Sequence, residues 1–275
     1  MSSAKHPPTF AILTDFGTRD HYAAAVKGVL LSACPGAHIV DISHDISPQN
    51  VISGAYVLYA AYTYMPEGTV HIAVVDPGVG SARRPLAVRA GKWLFVAPDN
   101  GILGYVLSKE KDWRAYSVEP GGVAAGQISR TFHGRDLFAP AAAKLALGAD
   151  PSDLGPQVED LVFPENLFAG VREDSISGLV IHTDRFGNLI TNVTEPAFES
   201  WRGSTALQDI VVSVGGISLR GISRYYAEVP QGKPLVLFGS SGHLEIAVNQ
   251  GSAADVFGAQ EGTPVLIEFA EINRS

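Results

Sequence analysis

The sequence predicts two domains: an α/β domain with a doubly wound, mainly parallel sheet, and a smaller antiparallel β domain after it. Strand-like and helix-like segments alternate over roughly the first 160 residues. A stretch rich in Pro, Gly and acidic residues then interrupts regular structure, and short apolar runs between turn residues occupy the remainder. We therefore expect the α/β domain at 1–163, a linker at 164–176 and an antiparallel barrel or sandwich at 177–275.

The first βα unit sets the pattern of the α/β domain. The apolar run Thr9–Thr14 predicts a strand, and a helix capped by Asp20 is expected to continue to Cys34, where a Pro-Gly pair ends it. A later alanine-rich helix is expected to be capped by Asp136. The alternation comprises strands at His38–Ile42, Thr69–Val75 and Lys92–Ala97 and helices at Asn50–Tyr64 and Ala139–Leu147.

Recurring short strands predict the fold of the second domain. Each apolar run is three to six residues long and is bounded by turn residues, which is typical of antiparallel sheets. The runs are Gly178–His182, Asp209–Val214, Ile217–Leu219, Pro234–Phe238, His243–Val248 and Pro264–Phe269.

Composition excludes several classes of protein. Hydrophobic residues make up 46% of the 275 positions and charged residues 17%, which predicts a large core and a surface partly covered by other subunits. The formal net charge of -8, with no basic cluster longer than a pair, argues against a nucleic-acid partner. Cys34 is the only cysteine, so an intrachain disulfide and a thiolate-rich metal site are excluded.

No targeting or membrane segment is predicted. The N-terminal segment Met1–Pro8 lacks the apolar core of a signal peptide. No apolar run approaches the roughly 18 residues that a membrane helix requires. We therefore expect no membrane partner and a cytoplasmic location.

Two short segments carry a concentration of chemically active side chains. The buried-strand pattern Thr69–Val75 breaks at Asp76 into a glycine-rich turn, with Arg83 and Arg84 just beyond it. The segment Thr131–Asp136 adds His133 and further charges. Functional groups at strand ends usually face a crevice. The two segments together predict a catalytic site.

Five motifs occur in an order that matches a known family. They are Thr14-Asp15-Phe16-Gly17, Val75-Asp76-Pro77-Gly78-Val79-Gly80, Ala97-Pro98-Asp99-Asn100-Gly101, Thr131-Phe132-His133-Gly134-Arg135-Asp136 and Phe186-Gly187-Asn188. From about Ile12 to about Ile267 the chain resembles the S-adenosyl-L-methionine (SAM) hydroxide adenosyltransferases, relatives of the enzymes that attach fluoride or chloride to the same adenosyl carbon. The resemblance implies a β-barrel C-terminal domain. It also implies a homotrimer whose ligand lies between one subunit's N-terminal domain and its neighbour's C-terminal domain.

The resemblance also assigns a water-activating triad. It consists of Asp76, Arg83 and His133, in which the cationic groups favour hydroxide and the carboxylate fixes the guanidinium. From the residues alone, Arg84 and Arg135 remain competitors, because each lies beside a triad member and could pair with a nearby aspartate. For Arg135 a structural ion pair is the favoured interpretation.

Substrate-binding residues follow from the same resemblance. Asp15 is expected to accept hydrogen bonds from both ribose hydroxyls. In the C-terminal domain Asp184 would meet the methionine ammonium and Asn188 the adenine. The other predicted substrate contacts are Phe16, Phe132 and Gly134 in the first domain, and Phe186 stacked on the base, Ser240 or Ser241 at the methionine carboxylate and Asn249 at the base in the second.

The predicted reaction is hydrolysis of SAM to adenosine and methionine by water attack at the ribose 5′ carbon, without a cofactor or metal. The halide-using relatives carry a different residue set in place of the triad, and the fluoride enzyme presents a serine where this chain has Gly134, so hydroxide is the expected nucleophile. Two alternatives stay open. One rests on a set of residues that all fall near predicted strand ends and would suit a metal-dependent nucleoside or phosphate hydrolase: Asp15, Asp41, His44, Asp45 and Asp76. A non-catalytic adenosine- or SAM-binding protein would share the same pocket.

Overall fold

The computed structural model describes residues 7–123 and 126–270. It divides into two compact units, Met1–Pro164 and Glu165–Ser275. The first unit contains one seven-stranded sheet and the second one eight-stranded sheet.

The first sheet combines a parallel half with an antiparallel extension. β1 pairs in parallel with β2 and β3, and β3 pairs in parallel with β5. β4, β6 and β7 continue the sheet in antiparallel pairing, giving the order β2-β1-β3-β5-β4-β6-β7. The strands are β1 Thr9–Thr14, β2 His38–Ser43, β3 Val70–Val74, β4 Pro85–Ala90, β5 Trp93–Pro98, β6 Trp113–Ser117 and β7 Gln157–Val158. The predicted α/β domain is confirmed, although the sequence did not predict β4 or β6.

Helices cover both faces of this sheet, as a doubly wound fold requires. On one face the apolar side chains of α1 and α5, such as Leu30 and Leu145, pack against β1 and β3. On the other face α2 and α3 contribute Leu58 and Val106 to a second buried cluster. The helices of this unit are α1 Tyr22–Ala33, α2 Val51–Ala61, α3 Gly104–Lys109, α4 Pro120–Val123 and α5 Ala139–Ala146, with a π-helix at Gly134–Phe138 and 3₁₀ turns at Tyr62–Tyr64 and Pro151–Leu154.

Two predicted helix caps are wrong. α1 begins at Tyr22, with His21 at the N-cap and no side-chain cap hydrogen bond, so Asp20 does not cap it. Asp136 lies inside the π-helix that leads directly into α5, where no free helix end needs a cap. Its Oδ2 instead accepts a hydrogen bond from the Ser129 N–H at 2.8 Å. By contrast Asn50 caps α2 through the Ser53 N–H.

The second unit forms a nearly closed antiparallel barrel. Every strand pair in it is antiparallel, in the order β12-β11-β15-β9-β10-β14-β13 with β8 beside β9. Ser223, just after β12, bridges to Leu237 of β13 and brings the two outer strands together. The predicted barrel is thereby confirmed. The strands are β8 Gly170–Val171, β9 Ser175–Thr183, β10 Leu189–Thr194, β11 Ile210–Val214, β12 Ile217–Arg220, β13 Pro234–Phe238, β14 His243–Val248 and β15 Pro264–Phe269.

Two helices and two 3₁₀ turns complete the second unit. They are α6 Glu195–Arg202, α7 Ala253–Phe257, Leu207–Asp209 and Tyr226–Glu228. Across the described parts of both units, every helix is too short or too polar to cross a lipid bilayer.

Candidate active site

The three residues of the predicted triad are in direct contact. Arg83 Nε donates to Asp76 Oδ1 at 3.0 Å, and Arg83 Nη2 donates to Asp76 Oδ2. The same Nη2 lies 2.8 Å from His133 Nδ1, although the two residues are 50 positions apart in the chain. The guanidinium therefore joins a carboxylate and an imidazole.

Local backbone geometry brings the Asp76 turn to the segment that carries His133. β3 is fully buried and ends two residues before Asp76, at the carboxyl edge where doubly wound sheets expose functional groups. Gly80 has a φ of +78°, and a Cβ at this position would lie 2.3 Å from the carbonyl oxygen of Arg130. Any side chain at position 80 would push the turn away from the histidine segment.

The ion pair between Asp76 and Arg83 is buried. The two side chains are 4% and 9% exposed, respectively. Desolvation of such a pair is costly, and the bidentate geometry with further hydrogen bonds offsets that cost. The ring of Phe138 lies 5.3 Å from Arg83 Cζ and adds a cation–π contact. Phe138 belongs to the π-helix that follows His133, a distortion that is frequent at functional sites.

The Arg83 contact fixes the tautomer of His133. An arginine N–H can only donate, so Nδ1 accepts and the proton of the neutral ring is on Nε2. Burial, and after it the positive charge of Arg83, lowers the pKa of His133 below its ordinary value of 6.5, against weaker opposing effects of Asp76 and Asp136. At neutral pH His133 is therefore uncharged and offers Nε2–H as a hydrogen-bond donor.

The two competing arginines have other partners. Arg84 Nε donates to Asp99 at 2.8 Å, and its Nη1 donates to Asp160 at 2.6 Å. Arg135 Nε donates to Asp136 at 2.6 Å, which is the predicted structural ion pair. Arg83 is thus the arginine that pairs with the carboxylate at the end of β3.

The predicted ribose segment lies beside the histidine segment. The rings of Phe16 and Phe132 meet edge to face with centroids 6.0 Å apart. A Cβ on Gly134 would be 3.3 Å from the Phe16 ring, so the absence of a side chain there permits this approach. Asp15 Oδ2 accepts from the Gln49 N–H at 2.9 Å. A carboxylate has about four acceptor positions, so this one contact does not saturate Asp15.

In the second unit Asp184 and Asn188 form one hydrogen-bonded turn. Asp184 Oδ1 accepts from the backbone N–H groups of Phe186 and Asn188 at 2.8 and 2.9 Å, and its Oδ2 accepts from Asn188 Nδ2 at 2.9 Å. The side-chain amide of Asn188 also has an oxygen and a second N–H, which suit it to bind a ligand. The Phe186 side chain is 76% exposed, so its ring is accessible for stacking.

The remaining predicted contacts lie at the two ends of β14. Ser240 and Ser241 form the turn that precedes the strand, whereas Asn249 follows it and donates from Nδ2 to the Val229 carbonyl at 2.7 Å. Because Leu189 pairs with Ile246, the Asp184–Asn188 turn is at the Asn249 end. Asn249 and the two serines thus lie at opposite ends of a six-residue strand about 20 Å long, whereas the Asp184 carboxylate is close enough to Glu245, in the middle of β14, to raise its pKa. The structure does not bring all the second-unit candidates together.

Sequence reasoning missed a buried acid in the same strand. Glu245 is 7% exposed, and its Oε1 accepts from the Tyr226 hydroxyl at 2.5 Å. Burial raises the pKa of Glu245, and the nearby Asp184 carboxylate raises it further. The run His243–Val248 reads as an apolar strand, and a single acid within it is a signal that could have identified this residue.

The metal-dependent alternative finds no support in side-chain placement. Among residues 7–123 and 126–270, no group of three or more His, Cys, Asp or Glu side chains is arranged to hold a metal ion. His44, a candidate ligand in that alternative, is 4% exposed and hydrogen-bonded to both Thr14 and Asp41.

Comparison with known proteins places this geometry in context. The N-terminal domain model of the SAM hydroxide adenosyltransferases matches residues 10–155, and the C-terminal domain model matches residues 178–266. An (R)-S-adenosyl-L-methionine hydrolase of Thermus thermophilus is 43% identical over 92% of this chain and 96% of that protein. A fluorinase of Actinoplanes is 28% identical over 96% of this chain and 98% of its own length. The crystal structure of an uncharacterized conserved protein from Thermotoga maritima superposes with a TM-score of 0.84 at 34% identity, covering 94% of this chain and 99% of that one.

Proposed function

The chain belongs to the SAM hydroxide adenosyltransferase family, and on that premise we propose that it hydrolyses SAM to adenosine and L-methionine. The single observation that carries the proposal is the Asp76–Arg83–His133 contact, which puts a buried cation and a neutral imidazole at the end of β3. Hydrolases named for this reaction share 36% to 43% identity with most of the chain.

The triad acts by favouring hydroxide over water. Arg83 supplies a positive charge that lowers the free energy of a nearby anion. His133 donates from Nε2–H to the same oxygen, because Arg83 occupies its Nδ1. Asp76 holds the guanidinium in place through two hydrogen bonds. The water proton leaves to solvent, since the neutral imidazole already carries a proton on the nitrogen that faces the nucleophile.

The bond changes are those of a direct displacement. The hydroxide oxygen forms a bond to the ribose 5′ carbon while the bond from that carbon to sulfur breaks, and its electron pair goes to the sulfonium sulfur. Methionine leaves as a neutral thioether and needs no general acid. The site also contributes to the rate by holding the attacking oxygen opposite the departing sulfur. The sum is water plus SAM giving adenosine, methionine and one proton.

Ground-state binding is assigned to the other candidates. Asp15 Oδ1 accepts from the ribose hydroxyls, and the Phe16–Phe132 pair bounds the sugar beside Gly134. The Asn188 amide hydrogen-bonds to the adenine, and the exposed ring of Phe186 stacks on the base. The remaining assignments are Asp184 at the methionine ammonium, Ser240 or Ser241 at its carboxylate and Asn249 at the base.

We propose a homotrimer in which neighbouring subunits complete each site, an arrangement favoured by the low fraction of charged residues. The candidate ligand residues are divided between the two units, with Asp15 in the first and Asn188 in the second. No metal or cofactor is assigned a role in the reaction.

Product analysis in oxygen-labelled water tests the proposed reaction. The purified protein incubated with SAM should release adenosine carrying one labelled oxygen in its 5′-hydroxyl. When the 5′ carbon carries a chiral deuterium label, the product should show inversion at that carbon. Free adenine would instead show glycosidic cleavage. Loss of activity after chelation would revive the metal-dependent alternative, and binding of SAM without product would support the non-catalytic one.

A further inference from the structure

A chain of four polar side chains lies behind the proposed ribose residue. Lys27 Nζ donates to Asp41 Oδ2 at 2.7 Å, and Asp41 Oδ1 lies 3.1 Å from His44 Nε2. The other ring nitrogen, Nδ1, lies 2.7 Å from the Thr14 hydroxyl. Thr14 and the His44 side chain are almost completely buried, at 1% and 3% exposure. The proposed mechanism uses none of these four groups.

The directions of these hydrogen bonds follow from donor chemistry. The Asp41 carboxylate can only accept, so His44 Nε2 carries a proton and, in the neutral ring, Nδ1 accepts. The Thr14 hydroxyl therefore donates to Nδ1 and keeps its lone pairs for the Phe16 N–H, which donates to it at 3.2 Å. The imidazole sets the orientation of the Thr14 hydroxyl, and the hydroxyl in turn holds the backbone next to Asp15.

Two further contacts join the segment after β2 to the same turn. The Gly17 N–H donates to the His44 carbonyl at 2.7 Å, and the Gln49 N–H donates to Asp15 Oδ2 at 2.9 Å. Gln49 has a φ of +66°, a conformation that costs a non-glycine residue free energy and persists only where the surrounding structure imposes it. The strained residue is the one whose N–H fixes the carboxylate.

We propose that His44, held by Asp41 and Lys27, is a positioning residue for nucleoside recognition, which orients the Asp15 carboxylate through Thr14 and the turn that follows it. The inference rests on the proposed function of Asp15 as the ribose acceptor. It assigns a role to a histidine that contacts neither the substrate nor the triad. Its effect should therefore appear in ground-state affinity for the ribose and not in the chemical step.

Four variants separate this role from general destabilisation. Thr14→Val removes the hydroxyl with little change of shape, Thr14→Ser restores it, His44→Ala removes the ring, and His44→Asn keeps an acceptor near the position of Nδ1. A misoriented Asp15 carboxylate would lose a hydrogen bond to the ribose. Loss of a hydrogen bond to a charged group lowers affinity by about tenfold or more. We expect Thr14→Val and His44→Ala to raise the KM for SAM and the Kd for adenosine by about 10-fold, with kcat within about twofold of wild type. Thr14→Ser and His44→Asn should recover most of the affinity.

Three readouts decide the question. Calorimetry should show that His44→Ala weakens the binding of adenosine but leaves the binding of free adenine unchanged. The double variant Asp15→Ala/His44→Ala should lose no more affinity for adenosine than Asp15→Ala alone. Additive losses, or an equal loss for adenine, would overturn the proposal, as would a fall in kcat at constant KM. Hydrogen exchange of the Phe16 and Gly17 amides, measured without ligand, should accelerate in His44→Ala whatever the substrate. Wild-type protein that forms no adenosine from SAM would refute the proposed function, while this exchange result would still test the positioning.

Discussion

Arg83 Nη2 lies 2.8 Å from His133 Nδ1 in the active-site geometry, and this one contact determines which nitrogen of the imidazole holds the proton. The histidine is commonly the proton acceptor in such sites. Here the accepting nitrogen is occupied by the guanidinium, so in the proposed reaction the ring faces the nucleophile as a donor. The proposed mechanism therefore depends on the charge of Arg83 and the tautomer of His133 together.

Removal of the guanidinium should raise the pKa of His133. Arg83 is the second cause of its lowering, after burial, while Asp76 and Asp136 act in the opposite direction. In wild type the midpoint of the His133 titration should lie below the ordinary value of 6.5. In Arg83→Met the pKa of His133 should be higher than in wild type, and NMR titration of the imidazole would measure the difference. Arg84→Met is the matched control, because Arg84 pairs with Asp99 and Asp160; an equal shift in both variants would contradict the assignment.

Variants of Asp15 and His133 should separate binding from chemistry. Asp15→Ala removes an interaction present in both ground state and transition state, so KM should rise about 10- to 100-fold with little change in kcat. His133→Ala removes a donor to the nucleophile and should lower kcat about 100- to 1,000-fold. Steady-state kinetics of adenosine release would measure both. Full turnover by His133→Ala at every pH would remove this residue from the triad.

Mixed oligomers should reveal whether neighbouring subunits share a site. Asp15→Ala and Asn188→Ala each impair one half of the proposed site. When differently tagged subunits are co-expressed in equal amounts, random assembly of shared sites should leave about a quarter of them with both wild-type halves. At SAM concentrations well below the raised KM of the parents, the doubly tagged fraction should therefore be more active than either parent. No recovery in a sedimentation-verified trimer would mean that each chain builds its own site.

Glu245→Gln should stabilise the protein at neutral pH. Burial raises the pKa of Glu245 in the folded state above its unfolded value, so ionisation costs stability as pH rises through the interval between the two values. The amide keeps an acceptor for the Tyr226 hydroxyl without that cost. Urea unfolding should show that the variant has a higher free energy of unfolding than wild type at pH 7, and that this difference shrinks near pH 4. Glu268→Gln, exposed on β15, serves as the control; a gain of equal size at both pH values would point to another cause.

The sequence predicted the parts of the fold that local patterns encode. Buried runs such as Val70–Val74 identified parallel strands, and Asn50 identified the start of a helix. The antiparallel strand Pro85–Ala90 was not predicted because its pairing with β5 and β6 depends on partners elsewhere in the chain. The caps at Asp20 and Asp136 were wrong because a neighbouring residue and a π-helix, respectively, occupy those positions.

Local sequence patterns predicted only part of the candidate site, because some of its contacts form only in the folded chain. Strand-end logic located Asp76, and the family resemblance selected Arg83 over its neighbour Arg84. Which arginine pairs with which carboxylate is a tertiary property, since Asp160 is far from Arg84 in the chain. His44 illustrates the limit: its sequence context is that of a loop, and its burial and its bonds to Thr14 and Asp41 arise only from folding.

The missing side chain at Gly134 constrains how this active site can evolve. A Cβ there would meet the Phe16 ring at 3.3 Å, tighter than an ordinary contact, so the ring must give by a few tenths of an ångström before the position accepts a side chain. Phe16 in turn packs on Phe132 and adjoins Asp15. A substitution that introduces a hydroxyl at position 134 therefore requires a shift of the Phe16 ring, so the two positions constrain each other's substitutions.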